Sequence, residues 1–115
     1  MEERFIQQLK KGVLEMLVLE AVCRKETYGY ELLNTLREAS GGLFTLKEGT
    51  LYPILYRLED DGKIVSSWST GEGRSAPKKM YAATEQGRQV RLRHRQVWRG
   101  FTAAVEGFYG EGLEE

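Results

Sequence analysis

The stretch Leu46-Lys47-Glu48-Gly49-Thr50-Leu51-Tyr52-Pro53-Ile54-Leu55-Tyr56-Arg57-Leu58-Glu59-Asp60-Asp61-Gly62, running on into Lys63-Ile64-Val65-Ser66-Ser67-Trp68, decides the fold. Leu51, Ile54, Leu55 and Leu58 recur at three- and four-residue steps, which buries one face of a helix, and Gly62 ends it. Beyond the glycine the character changes. Residues 63–70 are rich in strand formers, residues 71–77 carry turn chemistry, and residues 78–83 alternate again. A helix followed by a two-stranded hairpin with a long basic tip is the expectation. Thr45-Leu46-Lys47-Glu48 reads as a capping box, predicting a start near Leu46 and a kink at Pro53, whose ring conflicts with the Gly49 carbonyl. The alternative is a shorter helix capped at Thr50 with Pro53 in its first turn.

Working outward, residues 5–25 place Leu9, Val13, Met16, Leu17, Ala21 and Val22 on helical steps, with Leu14 and Val18 widening the stripe. One helix, buried on more than one side, is predicted. Residues 28–40 form a second, with Thr27 as N-cap, Leu32, Leu33 and Leu36 as core stripe, and Gly41-Gly42 as stop. A last helix runs from the N-cap Thr84 to about Tyr109, about 39 Å at 1.5 Å per residue. The fold class is mainly α with a small β-hairpin: a winged helix-turn-helix plus a long C-terminal dimerisation helix. Residues 1–83 make the winged domain, residues 84–109 the dimerisation helix, and residues 110–115 a flexible tail.

The 115 residues hold 17 basic and 17 acidic side chains, but the neutrality averages unlike segments. Residues 1–62 carry a net −3, residues 63–99 a net +7 and residues 100–115 a net −4. Positive charge is therefore concentrated on the hairpin and the start of the last helix, and on the hairpin it is placed to meet a polyanion, whereas the arginines of the last helix are not assigned to DNA. One cysteine and one histidine leave no disulfide and no Cys/His zinc cluster, so no metal and no cofactor is expected. Cys23 reads as a small buried hydrophobe. An enzyme finds little support, since there is no phosphate-binding glycine loop and no metal-ligand spacing. No apolar run approaches the roughly 18 residues of a bilayer span, and the acidic start is wrong for a secretory signal, which predicts a soluble, cytoplasmic protein without a membrane partner.

In a winged helix the third helix enters the major groove and the wing lies on the backbone or minor groove. Lys47, Thr50, Tyr52 and Tyr56 are the helix contacts expected with double-stranded DNA, with Tyr30 reaching a phosphate from the second helix. Arg74, Lys78 and Lys79, beside Trp68 and Tyr81, are the expected wing contacts. Tyr52 and Tyr56, one turn apart, serve equally well as packing partners. A winged helix used only for protein interaction is the alternative function.

Three motifs in order carry a resemblance: Tyr28-Gly29-Tyr30-Glu31-Leu32-Leu33, then Gly49-Thr50-Leu51-Tyr52-Pro53-Ile54-Leu55-Tyr56-Arg57-Leu58-Glu59, then Lys79-Met80-Tyr81-Ala82-Ala83-Thr84-Glu85-Gln86-Gly87. From about Lys11 to Tyr109 the chain resembles the PadR family of bacterial transcriptional regulators. The resemblance implies a winged-helix repressor acting as a homodimer, of the subfamily with a single C-terminal helix. In the wing tip, Ala76-Pro77 stands where the family often has a more basic run.

In the last helix Val90, His94, Val97, Phe101, Ala104 and Phe108 follow heptad spacing, with Trp98 and Val105 widening the seam. Packing against a second copy is expected, with helix one as neighbour, and the two recognition helices would then read a pseudo-palindromic operator. His94 on that seam reads as a polar interface residue. Arg88, Arg91, Arg93, Arg95 and Arg99 crowd the opposite side, a solvated face that Glu15, Glu20, Glu31 or Glu38 would neutralise on packing. A tryptophan in a symmetric seam can face its copy and accept a flat aromatic molecule. The resemblance supports this, since some short-form members bind planar ligands through a tryptophan at the place of Trp98. Met16 and Glu20, one turn apart, complete the expected effector pocket, Glu20 as an acceptor for cationic ligands.

Overall fold

The computed structural model describes residues 2–70, 73 and 76–110. In chain order it has α1 (Glu2–Lys11), α2 (Leu14–Arg24), β1 (Thr27–Tyr28), α3 (Gly29–Ala39), α4 (Glu48–Asp60), β2 (Ile64–Trp68), β3 (Lys79–Ala83) and α5 (Glu85–Gly110). The expected single first helix is two helices. Gly12 interrupts it, and the Gly12 and Val13 amides turn back to the Leu9 and Lys10 carbonyls at 3.3 and 3.0 Å. All of α2's fully buried side chains, Val18, Leu19 and Val22, lie after the break, whereas α1 buries none.

The core is built where α2, α3 and α4 meet. Leu32 and Leu36 of α3 and Leu51, Ile54, Leu55 and Leu58 of α4 pack with the α2 residues, closed by Ile64, Tyr81 and Val90. Both α3 and α4 stop at a left-handed glycine. Gly42 and Gly41 return their amides to the Arg37 and Glu38 carbonyls, and Lys63 and Gly62 to those of Leu58 and Glu59, with φ +61° at Gly41 and +77° at Gly62.

Two starts differ from expectation. The capping box is not made: α4 begins at Glu48 with Lys47 at the N-cap, and the Thr45 hydroxyl donates instead to the Gly42 carbonyl at 2.7 Å. Pro53 lies inside α4, as the longer-helix reading required. Nor does Thr27 cap α3. It is buried in a strand, its hydroxyl donating to Glu31 Oε1 at 2.7 Å, and Tyr28 holds the N-cap position with extended backbone. Thr27 and Tyr28, a β-branched and an aromatic residue, add a third strand to the hairpin. The sheet order is β1-β3-β2, antiparallel throughout, with Thr27 opposite Tyr81 and Trp68 opposite Lys79.

The junction into α5 is closely tied. Thr84 caps the helix by accepting the Gly87 amide at 3.0 Å, while its own hydroxyl donates to the Gly62 carbonyl at 2.7 Å. The Thr84 amide reaches the Lys63 carbonyl at 3.1 Å, and Gln86 Nε2 the Asp61 carbonyl at 3.2 Å. A side chain at Gly87 would collide with the Lys63 carbonyl oxygen. The end of α4 and the start of α5 are thus one packed corner. From there α5 runs outward and gives the molecule its longest extent, 62 Å.

Candidate nucleic-acid interface and ligand groove

Burying Leu51, Ile54, Leu55 and Leu58 leaves Lys47, Thr50, Tyr56 and Arg57 on the exposed side of α4. Arg57 is paired on the surface with α2, its Nε donating to Glu15 Oε1 at 3.1 Å. Tyr52 is half-buried against the core, and its hydroxyl occupies the space that a side chain at Gly29 would need. Its ring lies 6.2 Å from that of Tyr56. Packing is the role the structure shows for Tyr52, while Tyr56 stays open to solvent. The glycine at the start of α3 thus lets α4 approach closely, and beside it Tyr30 is 70% exposed.

The wing joins the same surface. Lys78 Nζ sits 4.9 Å from the Tyr28 ring centroid, so β1 carries a platform for the wing lysine. Tyr28 was not among the expected site residues, and only its place in a strand facing β3 marks it out. Lys79 lies 5.8 Å from the Tyr81 ring and opposite Trp68, which is 68% exposed. Neighbouring residues on a strand point to opposite faces, so Lys78 and Lys79 serve different sides of the wing. Arg74 lies outside the described residues. Beneath Lys79 the Tyr81 hydroxyl is buried with no partner among the described residues. Desolvation, with smaller contributions from Tyr52, Glu59 and Tyr56, pushes its pKa up to about 12, and it stays neutral.

An open groove of about 490 Å³ runs along α2 and α5. Met16, Glu20 and Trp98, the expected effector residues, all line it, together with Phe44, His94 and a set of arginines. Glu20 is already engaged. Arg91 donates to it through Nε at 2.5 Å and Nη2 at 3.1 Å, and Arg24 Nε donates at 2.8 Å. The Arg91 hydrogen bond outweighs desolvation and holds the Glu20 carboxyl below its usual range. Glu20 is therefore no open acceptor for a cationic ligand, because two guanidiniums neutralise it. Glu15 and Glu31 pair with Arg57 and Lys25 instead of with α5. Cys23 is half-buried against the core, and desolvation raises its thiol pKa. Among the described residues no cluster of His, Cys, Asp and Glu could hold a metal ion.

Residues 18–93 match the model of the transcriptional regulator PadR-like family. The chain is similar to a PadR family transcriptional regulator from Eggerthella lenta, with TM-score 0.83 and 30% identity over 96% of this chain and 93% of that one. It is 31% identical over 77 residues to the negative transcriptional regulator PadR of Bacillus subtilis, covering 67% of this chain and 42% of that protein. It therefore spans under half of that relative's length. Transcriptional regulator Rv3488 of Mycobacterium tuberculosis is 28% identical over 102 residues, covering 89% of this chain and 91% of the relative. The chain belongs to the PadR family.

This PadR protein is thus a DNA-binding transcriptional regulator with a winged-helix fold. Its C-terminal helix divides in two. Val90 is 7% exposed inside the chain's own core, a correction to its place in the seam, because the first turns of α5 pack on α2 and β3. His94, next along, is half-buried on the groove wall. From there outward Val97, Phe101 and Phe108 are 69%, 63% and 85% exposed, and Trp98, Ala104 and Val105 are exposed as well. No described helix is long and apolar enough to cross a membrane.

Proposed function

We propose that this PadR regulator is a cytoplasmic homodimeric repressor, holding a pseudo-palindromic operator through α4 and the wing and releasing it when a planar aromatic effector enters beside Trp98. The observation that carries the reading is the outer half of α5, where Val97, Phe101 and Phe108 present apolar surface that the described residues do not cover. A second copy packed there hides that stripe and brings two winged domains into one assembly. Lys47, Thr50 and Tyr56 contact the major groove, Tyr30 reaches a phosphate, and Lys78 and Lys79 serve the wing. The groove beside Trp98 supports release at the same interface, since a ligand that fits one dimer geometry better than the other shifts the balance between them.

The test uses a duplex selected from a random pool. Affinity should fall steeply with salt, and Lys78→Ala with Lys79→Ala should weaken every duplex and lower the salt slope by about two per protomer. A neutral planar probe such as naphthylmethanol should release the duplex from the natural protein and leave it bound to Trp98→Ala. Release that persists in the variant, or no release at saturation, overturns the effector reading. Salt-independent duplex affinity overturns the operator reading and favours a protein-interaction module.

A further inference from the structure

Glycine inside a helix costs stability, and it stays where another group must come close or the chain must turn. Gly29 and Gly87 clear room for the Tyr52 hydroxyl and the Lys63 carbonyl, while Gly41 and Gly62 take the left-handed backbone that ends α3 and α4. Gly49 serves neither purpose. It lies in the first turn of α4, its φ is not positive, and a side chain placed there would meet no described atom within 4 Å. Gly49, Pro53 and Tyr56 follow at four- and three-residue steps, so they share one stripe, on the side of α4 turned away from the buried Leu51, Ile54, Leu55 and Leu58. Gly49 and Pro53 are both exposed, and Tyr56 is 52% exposed. The outward face of this helix is therefore almost bare over its first two turns, offering backbone and a proline ring.

Resting on the proposal that α4 enters the major groove, we infer that Gly49 is its point of closest approach to the operator, with a thymine methyl group seated in the space that a side chain at position 49 would fill. A bare glycine lets the helix backbone sink deeper between the strands than a side chain permits. Of the base features in the major groove, the thymine methyl is the one that hydrocarbon satisfies. An amino group or carbonyl set against the Gly49 Cα and the Pro53 ring loses water and gains no side-chain partner. The contact forms only when the helix is fully seated on a matching sequence, whereas a random duplex held through its phosphates leaves position 49 clear. Gly49 is thus a specificity residue that works by having no side chain.

Gly49→Ala and Gly49→Leu, measured in the full chain on the duplex that the natural protein selects from a random pool, test the inference. Both replacements favour a helix, so the melting midpoint should hold or rise, by about 2 °C or more for Ala. Affinity for the selected duplex should fall about tenfold for Ala and further for Leu, while affinity for random duplex, its salt slope and the dimer dissociation constant stay unchanged. Exchanging each thymine of the selected duplex for uracil removes only a methyl group. At one thymine of each half-site the exchange should weaken the natural protein about threefold or more, yet strengthen Gly49→Ala, because the methyl taken from the DNA makes room for the one added to the protein. A lowered midpoint, an equal loss on random duplex, a weakened dimer or undiminished affinity overturns the role of Gly49, while the operator reading stands on the natural protein's salt dependence. Loss in Gly49→Ala with no thymine that reverses sign overturns the methyl contact. A natural protein that selects no duplex overturns the operator reading, and this inference with it.

Discussion

His94 is the one histidine of the chain, and its surroundings make folding sensitive to pH. Burial lowers its pKa, Lys63 and Arg93 add to the effect, and Glu15 opposes it. Unfolding returns the ring to its ordinary value near 6.5, so between the two values the unfolded chain binds more protons. The stability held by neutral His94 is complete above that ordinary value and is lost as pH falls through the folded one. The urea midpoint should drop between about pH 7.5 and pH 5.5, and His94→Gln should flatten the drop. An equal drop in the variant would assign the titration elsewhere. At this scale the sequence was legible where the partner is near in the chain. Leu51, Ile54, Leu55 and Leu58 were named from spacing alone and are all buried. The capture of Glu20 by Arg91 spans 71 positions, and no local pattern encodes it. Tyr52 and Tyr56 share the same chemistry one turn apart, and the space left by the missing side chain of Gly29 is taken by the Tyr52 hydroxyl.

Element boundaries follow glycine at Gly41 and Gly62, whereas of the threonines expected as caps only Thr84 makes one. Gly41 and Gly62 end α3 and α4 as anticipated, because a left-handed residue is something few other side chains supply. Thr27 and Thr45 have the chemistry of caps, yet one hydroxyl serves a carboxylate and the other a backbone carbonyl. Short polar side chains have several local partners, and tertiary packing chooses among them. The strand at Thr27–Tyr28 was missed because two residues show no period, and it exists only through pairing with β3. Within α5 the heptad spacing is uniform in sequence, but the fold splits it after the first turns, with Val90 inside and Phe101 and Phe108 outside. The dimer seam proposed here therefore lies in the outer half alone. Phe101→Glu with Phe108→Glu should raise the dimer dissociation constant by about a hundredfold or more and preserve the helical signal. Sedimentation checks the first and circular dichroism the second. A dimer of undiminished affinity would place the interface elsewhere.

At the scale of the whole molecule, the equal totals of acid and base hide a basic wing, which the proposed function sets on the operator, and an arginine row along α5 beside the groove. The corner where Thr84, Gln86 and Gly87 meet residues 61–63 has a consequence for how the two communicate. With no clearance at Gly87, α5 is fixed to the corner it springs from, and in the proposed dimer it is a crank arm on which a ligand cannot loosen the reading head by itself. What it can alter is the span between the two heads of a dimer. A swing of about 5° along an arm of about 39 Å displaces its end by about 3.4 Å, the rise of one base pair. Induction then becomes a change of gauge. Ligand-bound protein should regain affinity for duplexes whose half-sites are set one base pair closer or farther apart, and should hold an isolated half-site as well as before. Equal loss on every spacing would show that the crank bends.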